Sequence, residues 1–265
     1  ASAAPDDLFS PALEPGTTSF PAAFMRLDVE ELARFPAQGA LNIPIELVRR
    51  LSPDSLSVME FKGAMDIRIA EKMLAFPLLG ERINGTWNLS LTREFDMTND
   101  SKLFETSPGK GRLPLYEGKM IHQFEHQFSA PRYWVNEEAG RTALLGRTVD
   151  DNQDLSYQHY RFGFRGIARS TDQRTLIVGS LPAQVFCGNS ILVAAVDASD
   201  SKLVPYLLAL LNSFAVDYWV RQTVSANLNM FFIKQIPVPR IDEKHPSFTG
   251  IVHRAARLIS TTPEF

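Results

Sequence analysis

His122, Gln123, Phe124, Glu125 and His126 stand together as HQFEH, which fits the inverted zinc-hydrolase spacing H-x-x-E-H. Two imidazoles four residues apart on one helix face can hold a metal ion, and a carboxylate beside them can take a proton from its bound water. Such a site needs a helix through the motif and a third ligand well downstream. Pro114 and Gly118 lie just upstream and oppose a long helix, and no Glu occurs between Glu138 and Glu243. Asp197 and Asp200 are the carboxylates at a comparable distance, and they sit in a polar turn. A zinc-dependent hydrolase is thus an alternative that HQFEH raises and its surroundings weaken.

Other catalytic signatures are missing. The sequence has no Gly-x-Ser-x-Gly elbow, no Walker-type phosphate loop and no Cys-x-x-Cys pair. GKGR at 109–112 offers backbone donors and positive charge, but no helix-opening Lys-Ser/Thr follows it. His159 and His253 have no evident partner. No catalytic residue, metal ligand or cofactor site is expected within these 265 residues.

A second constellation is a run of arginines among aromatics. HYRFGFRGIARSTDQRT places Arg161, Arg165, Arg169 and Arg174 beside Tyr160, Phe162 and Phe164. In a strand, Arg161, Gly163, Arg165 and Ile167 share one face while Phe162 and Phe164 take the other. That alternation predicts buried phenyl rings and outward guanidinium groups. Guanidinium forks suit phosphate oxygens and guanine edges, while the bland reading is an ordinary solvated strand.

The elements that must position these residues follow from periodicity and breakers. Helices are expected in VEELARF after Asp28, in IELVRRL after Pro44, and in IRIAEKMLAF with Asp66 as its cap. SLSVMEFK and WNLSLTREF alternate like strands, with MTNDS as a turn and SPGKGR as a loop. ALLGRTV, HYRFGFRGIARS, TLIVGSL and VFCGNSILVAAV are further β-rich runs, joined too tightly for helical crossovers. A long helix is expected at 202–222, then an extended apolar segment NLNMFFIKQIPVPR and a final helix in SFTGIVHRAARLIS. The class is α+β, a mainly antiparallel sheet with peripheral helices. Residues 1–23, rich in Ala, Pro and Ser, are expected to be a linker, 24–240 the main domain and 241–265 a C-terminal helical extension.

Composition is that of a globular chain, with 45% hydrophobic and 22% charged residues. A single cysteine, Cys187, excludes an internal disulfide and favours a reducing, cytoplasmic setting. The apolar run LVPYLLALLNSFAVDYWV is interrupted by Pro205, Asn212 and Asp217, so it is expected in a core and not in a membrane. Charge is unevenly spread: residues 1–108 hold 10 Lys/Arg against 16 Asp/Glu, whereas 158–240 hold eight against four, so one face suits an anionic partner.

Several stretches taken in order, DIRIAEKMLAFPLL, WNLSLTREFDMTNDSKLF, LPLYEGKMIHQFEHQF, RFGFRGIARSTDQRTLIVGSLP and LLALLNSFAVDYWVRQ with NLNMFFIKQIPVP, resemble a known family. It is the target-recognition region of large adenine-N6 DNA methyltransferases of the type IIG restriction-modification and BREX phage-defence kinds. The last stretch is also similar to the closing elements of TaqI-like specificity domains. The resemblance covers about 55–240 and implies a target-recognition-domain-like fold that binds duplex DNA and selects the sequence to be methylated. It implies that the S-adenosylmethionine-binding methyltransferase core belongs to the same parent polypeptide, and the linker-like start agrees with a fragment. On this basis Lys119, His122, Gln123, Arg161, Arg165, Arg169 and Arg174 are the expected DNA contacts. A module that docks the methyltransferase to another protein is a further alternative.

Overall fold

The computed structural model describes residues 16–52, 56, 58–169, 171–196, 202–223 and 227–264. The chain forms two compact units, residues 1–74 and 75–265. This division differs from the expected boundaries at 23 and 240, for two reasons. Ser19–Ala22 is a strand, β1, paired antiparallel with β2 (Leu41–Pro44), so the segment expected to be linker is partly sheet. At the other end, the Phe248 ring packs 5.2 Å from that of Tyr206, which ties the expected C-terminal extension into the second unit.

In the first unit, α1 (Glu30–Arg34) and α2 (Ile45–Leu51) form where expected. Leu47, Val48 and Leu51 share one face of α2 and are buried, as is Ile43 of β2. The next helix, α3 (Ala64–Met73), starts two residues before its expected cap. Asp66 instead lies inside the first turn and accepts from the backbone N–H groups of Lys62 and Gly63 at 2.7 and 3.0 Å. The alternating stretch 55–62 carries no strand among its described residues, which are 56 and 58–62.

The second unit holds two four-stranded sheets. One runs β3 (Leu89–Thr92), β10 (Ile191–Val196), β7 (Arg161–Arg165), β8 (Val178–Leu181), all antiparallel. The other runs β4 (Phe104–Glu105), β6 (Tyr133–Asn136), β5 (Arg112–Tyr116), β9 (Phe186–Cys187), with β5 and β9 parallel. The expected α+β class with a mainly antiparallel sheet is what the chain adopts. Phe162, Phe164, Leu192 and Val193 are fully buried, each contributing about 1.5–3 kcal/mol by removal from water. Cys187 is buried as well, and burial pushes its thiol pKa far above the ordinary value, which leaves it inert.

The two sheets meet at a buried ion pair. Glu94, two residues beyond β3, pairs with Arg161 of β7, each side chain 2% exposed. Its other oxygen accepts from the Cys187 backbone at 2.8 Å, while Arg161 donates to the Val185 carbonyl at 2.7 Å. The expected outward guanidinium of Arg161 is therefore inside. Alternation assigns a residue to a face, but the face that carries Arg161 is covered by the second sheet.

Three further expectations are corrected. The first three residues of ALLGRTV end a helix, α4 (Glu137–Leu145), which the Asn136 side chain caps by accepting from the Ala139 N–H at 3.0 Å, and the rest is turn. The segment 202–222 is two helices, α5 (Leu203–Leu211) and α6 (Phe214–Thr223), bent by 57°. Asn212 causes the break: its amide exchanges bonds of 3.2 and 2.8 Å with the backbone of Val178, at the open edge of β8. NLNMFFIKQ contains a short helix, α7 (Met230–Lys234), capped by Asn229, and not an extended run. The final helix, α8 (Phe248–Ile259), forms as expected. Among the described residues no single helix is long and apolar enough to cross a membrane.

A second polar group latches the sheet to these helices. Asp217 of α6, 5% exposed, accepts from the Leu176 N–H at 2.7 Å and pairs with Arg221 at 3.2 Å. Leu176 lies in the segment that leads into β8.

These two anchors give separate stability predictions. Replacing Glu94 by Ala leaves a buried guanidinium uncompensated and should lower the unfolding free energy by about 3–5 kcal/mol in urea denaturation, whereas Glu94→Leu with Arg161→Met should lose clearly less. Asp217→Ala should lose about 1.5–3 kcal/mol, the range for a hydrogen bond to a charged group. Equal losses for the single and double changes at the first anchor would mean that charge compensation is not what the pair supplies.

Candidate functional site

The turn that carries HQFEH follows a single 3-10 turn, Gly118–Met120. His122 and Glu125 exchange backbone hydrogen bonds of 2.8 and 3.1 Å, and Phe124 between them takes a left-handed φ of 62°. The motif is thus a tight turn and not a helix, so the i, i+4 juxtaposition of its imidazoles does not arise. His126 is 1% exposed and faces Glu264 at 3.9 Å, with burial holding its pKa below the ordinary value. His122 instead stacks on Phe128, ring centroids 4.8 Å apart. Among the described residues no three His, Cys, Asp or Glu side chains gather as metal ligands.

The turn packs against β8 because Gly179 has no side chain. A Cβ there would lie 2.8 Å from the Ile121 Cβ and 3.1 Å from the carbonyl oxygens of His122 and Glu125. Gly118 plays the same part towards β10: its N–H donates to Ser190 Oγ at 2.9 Å, and a Cβ would strike the Ser190 carbonyl at 2.9 Å and press on the Arg165 side chain. Sheet and turn therefore approach closely enough to share one concave surface.

That concavity has a volume of about 590 Å³. It gathers His122, Gln123, Arg165, Arg169 and Arg174, five of the seven residues expected from sequence. Ile167, Asp172, Gln173, Ile177 and Phe214 complete the lining. The other two expected residues are elsewhere. Arg161 is in the buried ion pair, so it is a scaffold group and not a surface contact. Lys119 does not line the concavity; its ammonium lies 3.6 Å from Glu117, which also binds Arg132 at 2.9 Å.

The three arginines of the concavity differ. Arg174 is 11% exposed at its side chain and donates to the Asn212 and Ser213 carbonyls at the α5–α6 break, with Asp217 at 3.9 Å. Gln123, with its amide oxygen turned towards Arg174, accepts from Nη2 and Nε at 2.8 and 2.9 Å. Arg174 thus fixes the floor and has few donors left for a ligand. Arg165, at the end of β7, is half-buried, and Arg169 is exposed. Among the described residues neither guanidinium engages a carboxylate or carbonyl. Two open cations share the concavity with one carboxylate among the described residues, Asp172, an arrangement that suits anionic oxygen. The backbone beneath them is held: Leu228 N–H donates to the Gly166 carbonyl at 2.9 Å, and Arg169 N–H donates to Asp172 at 3.1 Å.

Sequence reasoning missed Phe214 and Ile167, which are 84% and 62% exposed. For Phe214 the signal was present: Asn212-Ser213 followed by Asp217 is a helix-start pattern, and Ser213 Oγ accepts from the Val216 N–H at 3.3 Å. Ile167 carries no such mark, since its exposure follows from where the strand leaves the sheet. Trp219, in the apolar run expected in a core, is buried, whereas Phe231 of the next apolar segment is half exposed.

No protein-family model matches the chain, and neither does any curated protein. Among solved structures it is similar to the type IIG restriction endonuclease BpuSI, with 14% sequence identity and a TM-score of 0.44. The match covers 71% of this chain and 28% of that one, so the chain spans a little over a quarter of that enzyme's length. At this identity and TM-score the likeness is one of partial fold alone.

Proposed function

We propose that the concavity of His122, Gln123, Arg165 and Arg169 is the duplex-DNA contact surface of a target-recognition domain. In this reading the domain is non-catalytic by itself and chooses the sequence on which an adenine-N6 methyltransferase core acts. That core, with its S-adenosylmethionine, lies outside these 265 residues. The observation that carries the proposal is the pair of open guanidinium groups, Arg165 and Arg169, on a latched backbone beside the polar side chains of His122 and Gln173. Phosphate oxygens satisfy such cations, and short polar groups beside them can reach base edges. The ordered sequence stretches that resemble type IIG and BREX recognition regions support the same reading.

Protein docking keeps one specific support of its own, in the first unit: Met25, Leu27, Val29 and Leu32 are strongly exposed apolar residues. That patch suits the methyltransferase core better than DNA, because it offers apolar surface. It does not compete with the cationic concavity.

Fluorescence anisotropy of random-sequence duplexes with the 265-residue chain tests the proposal. Affinity should fall steeply from low to moderate salt, each phosphate contact contributing about 0.9 to the log–log slope. Arg165→Glu with Arg169→Glu should weaken binding by tenfold or more and flatten that slope by roughly two contacts. Lys119→Ala, outside the concavity, should change affinity less than about twofold, as a surface ion pair does. Gly179→Ala should displace the HQFEH turn and weaken binding with an unchanged slope. A double charge reversal that binds duplex as well as the parent chain would remove this surface from the DNA reading.

A further inference from the structure

We infer that Phe214 is a fixed stacking wedge, which enters the duplex from the cationic concavity and rests its open ring face on a base. The inference rests on the DNA reading above and adds a base-contacting residue to it.

Three observations carry it. The first is position: Phe214 is the first residue of α6, at the 57° corner between α5 and α6, and is 84% exposed. A large apolar ring so fully in water contributes nothing to the core. The second is rigidity. The Arg174 guanidinium lies 4.7 Å from the ring centroid, a cation–π contact on one face of the ring. Arg174 is itself held by the Asn212 and Ser213 carbonyls, by Asp217 and by Gln123. An ordered ring has already lost the rotamer freedom that binding would otherwise remove. The third is setting: the ring shares its concavity with the open cations Arg165 and Arg169, and with exposed Ile167.

These properties select the occupant. A purely anionic ligand would satisfy the guanidinium groups and leave Phe214 and Ile167 in water. An apolar protein surface would cover Phe214 and Ile167 but desolvate two unpaired cations. Nucleic acid presents both chemistries side by side, phosphate oxygens outside and aromatic base faces inside. Apolar side chains inserted at a base step unstack it and bend the duplex, and an aromatic ring can replace the stacking that is lost. Arg174 gives the ring electrostatic backing on the side away from the base.

The test uses the 265-residue chain and random-sequence duplexes that carry 2-aminopurine in place of adenine, whose fluorescence rises on unstacking. Saturating protein should raise the fluorescence. Phe214→Ala should abolish most of that rise and weaken binding about tenfold, while the slope of affinity against salt stays the same because no phosphate contact is lost. Phe214→Trp should keep both the rise and the affinity, and thermal unfolding of each variant should match the parent, since the ring is exposed. If Phe214→Ala unstacks and binds duplex like the parent, the wedge is overturned and the DNA surface stands. If the parent binds duplex with no rise in fluorescence, the wedge is likewise overturned. If the parent binds no duplex even at low salt, the DNA reading itself fails, and the wedge with it.

Discussion

The buried pair of Glu94 and Arg161 is the constraint on which the second unit depends. Taking two charges out of water is expensive, and their mutual attraction offsets that only when the remaining donors and acceptors are also satisfied. Here that condition is largely met: the carboxylate holds the Arg161 guanidinium and the Cys187 N–H, and the guanidinium reaches the Val185 carbonyl and, at 3.3 Å, Ser156 Oγ, with Arg161 Nε left without a hydrogen-bond partner among the described residues. The partners come from β7 of one sheet and from β9 and its approach in the other. The pair therefore sets how the two sheets lie on each other, and with them how β5 delivers the HQFEH turn to the edge of β8. A charged link in that place also specifies one arrangement, since any slip of β7 would leave an ion buried alone.

From that anchor outward, the arginines of one short sequence separate into different kinds. Arg161 and Arg165 occupy the same face of one strand four residues apart. The first lies between the sheets and the second at the strand's open end, half-buried. Arg174 is drawn into the α5–α6 corner by carbonyls whose helix has ended there. A carbonyl at a helix C-terminus has no intrahelical partner and attracts a cation. Arg165 and Arg169 keep their charge available because, among the described residues, nothing acidic except Asp172 shares the concavity. The basic surplus of residues 158–240 thus divides between structure and surface, and the count alone could not show the split.

What the sequence made legible follows the range of the interactions. The α+β class, the turn at MTNDS, α1 and α2, α8 and the buried Phe162 and Phe164 all rest on local periodicity, capping or turn chemistry. The misreadings rest on partners far away in sequence. The break at Asn212 needs Val178, and the inward turn of Arg161 needs Glu94. ALLGRTV is different, because the Asn136 cap and the acids Glu137 and Glu138 mark a helix start that its apolar letters masked. Five of the expected contact residues nevertheless meet in one concavity, because the stretches that carry them are brought together by β7, β8 and the turn.

HQFEH shows how much a short motif owes to its backbone. In a helix its two imidazoles would share a face, and a metal site would be a sound expectation. In the observed turn the exchange of backbone bonds between His122 and Glu125 makes the first residue part of a rim and sends the last into the interior beside Glu264. Gln123, the letter that the metal pattern ignores, becomes the one that matters, because its oxygen faces the two nitrogens of Arg174. That contact couples the turn to the α5–α6 corner, so the polar rim at His122, the braced cation Arg174 and the ring of Phe214 form one connected and preorganised surface. Preorganisation of this kind lowers the ordering cost that any ligand of the surface would otherwise meet, because the side chains are already held by one another.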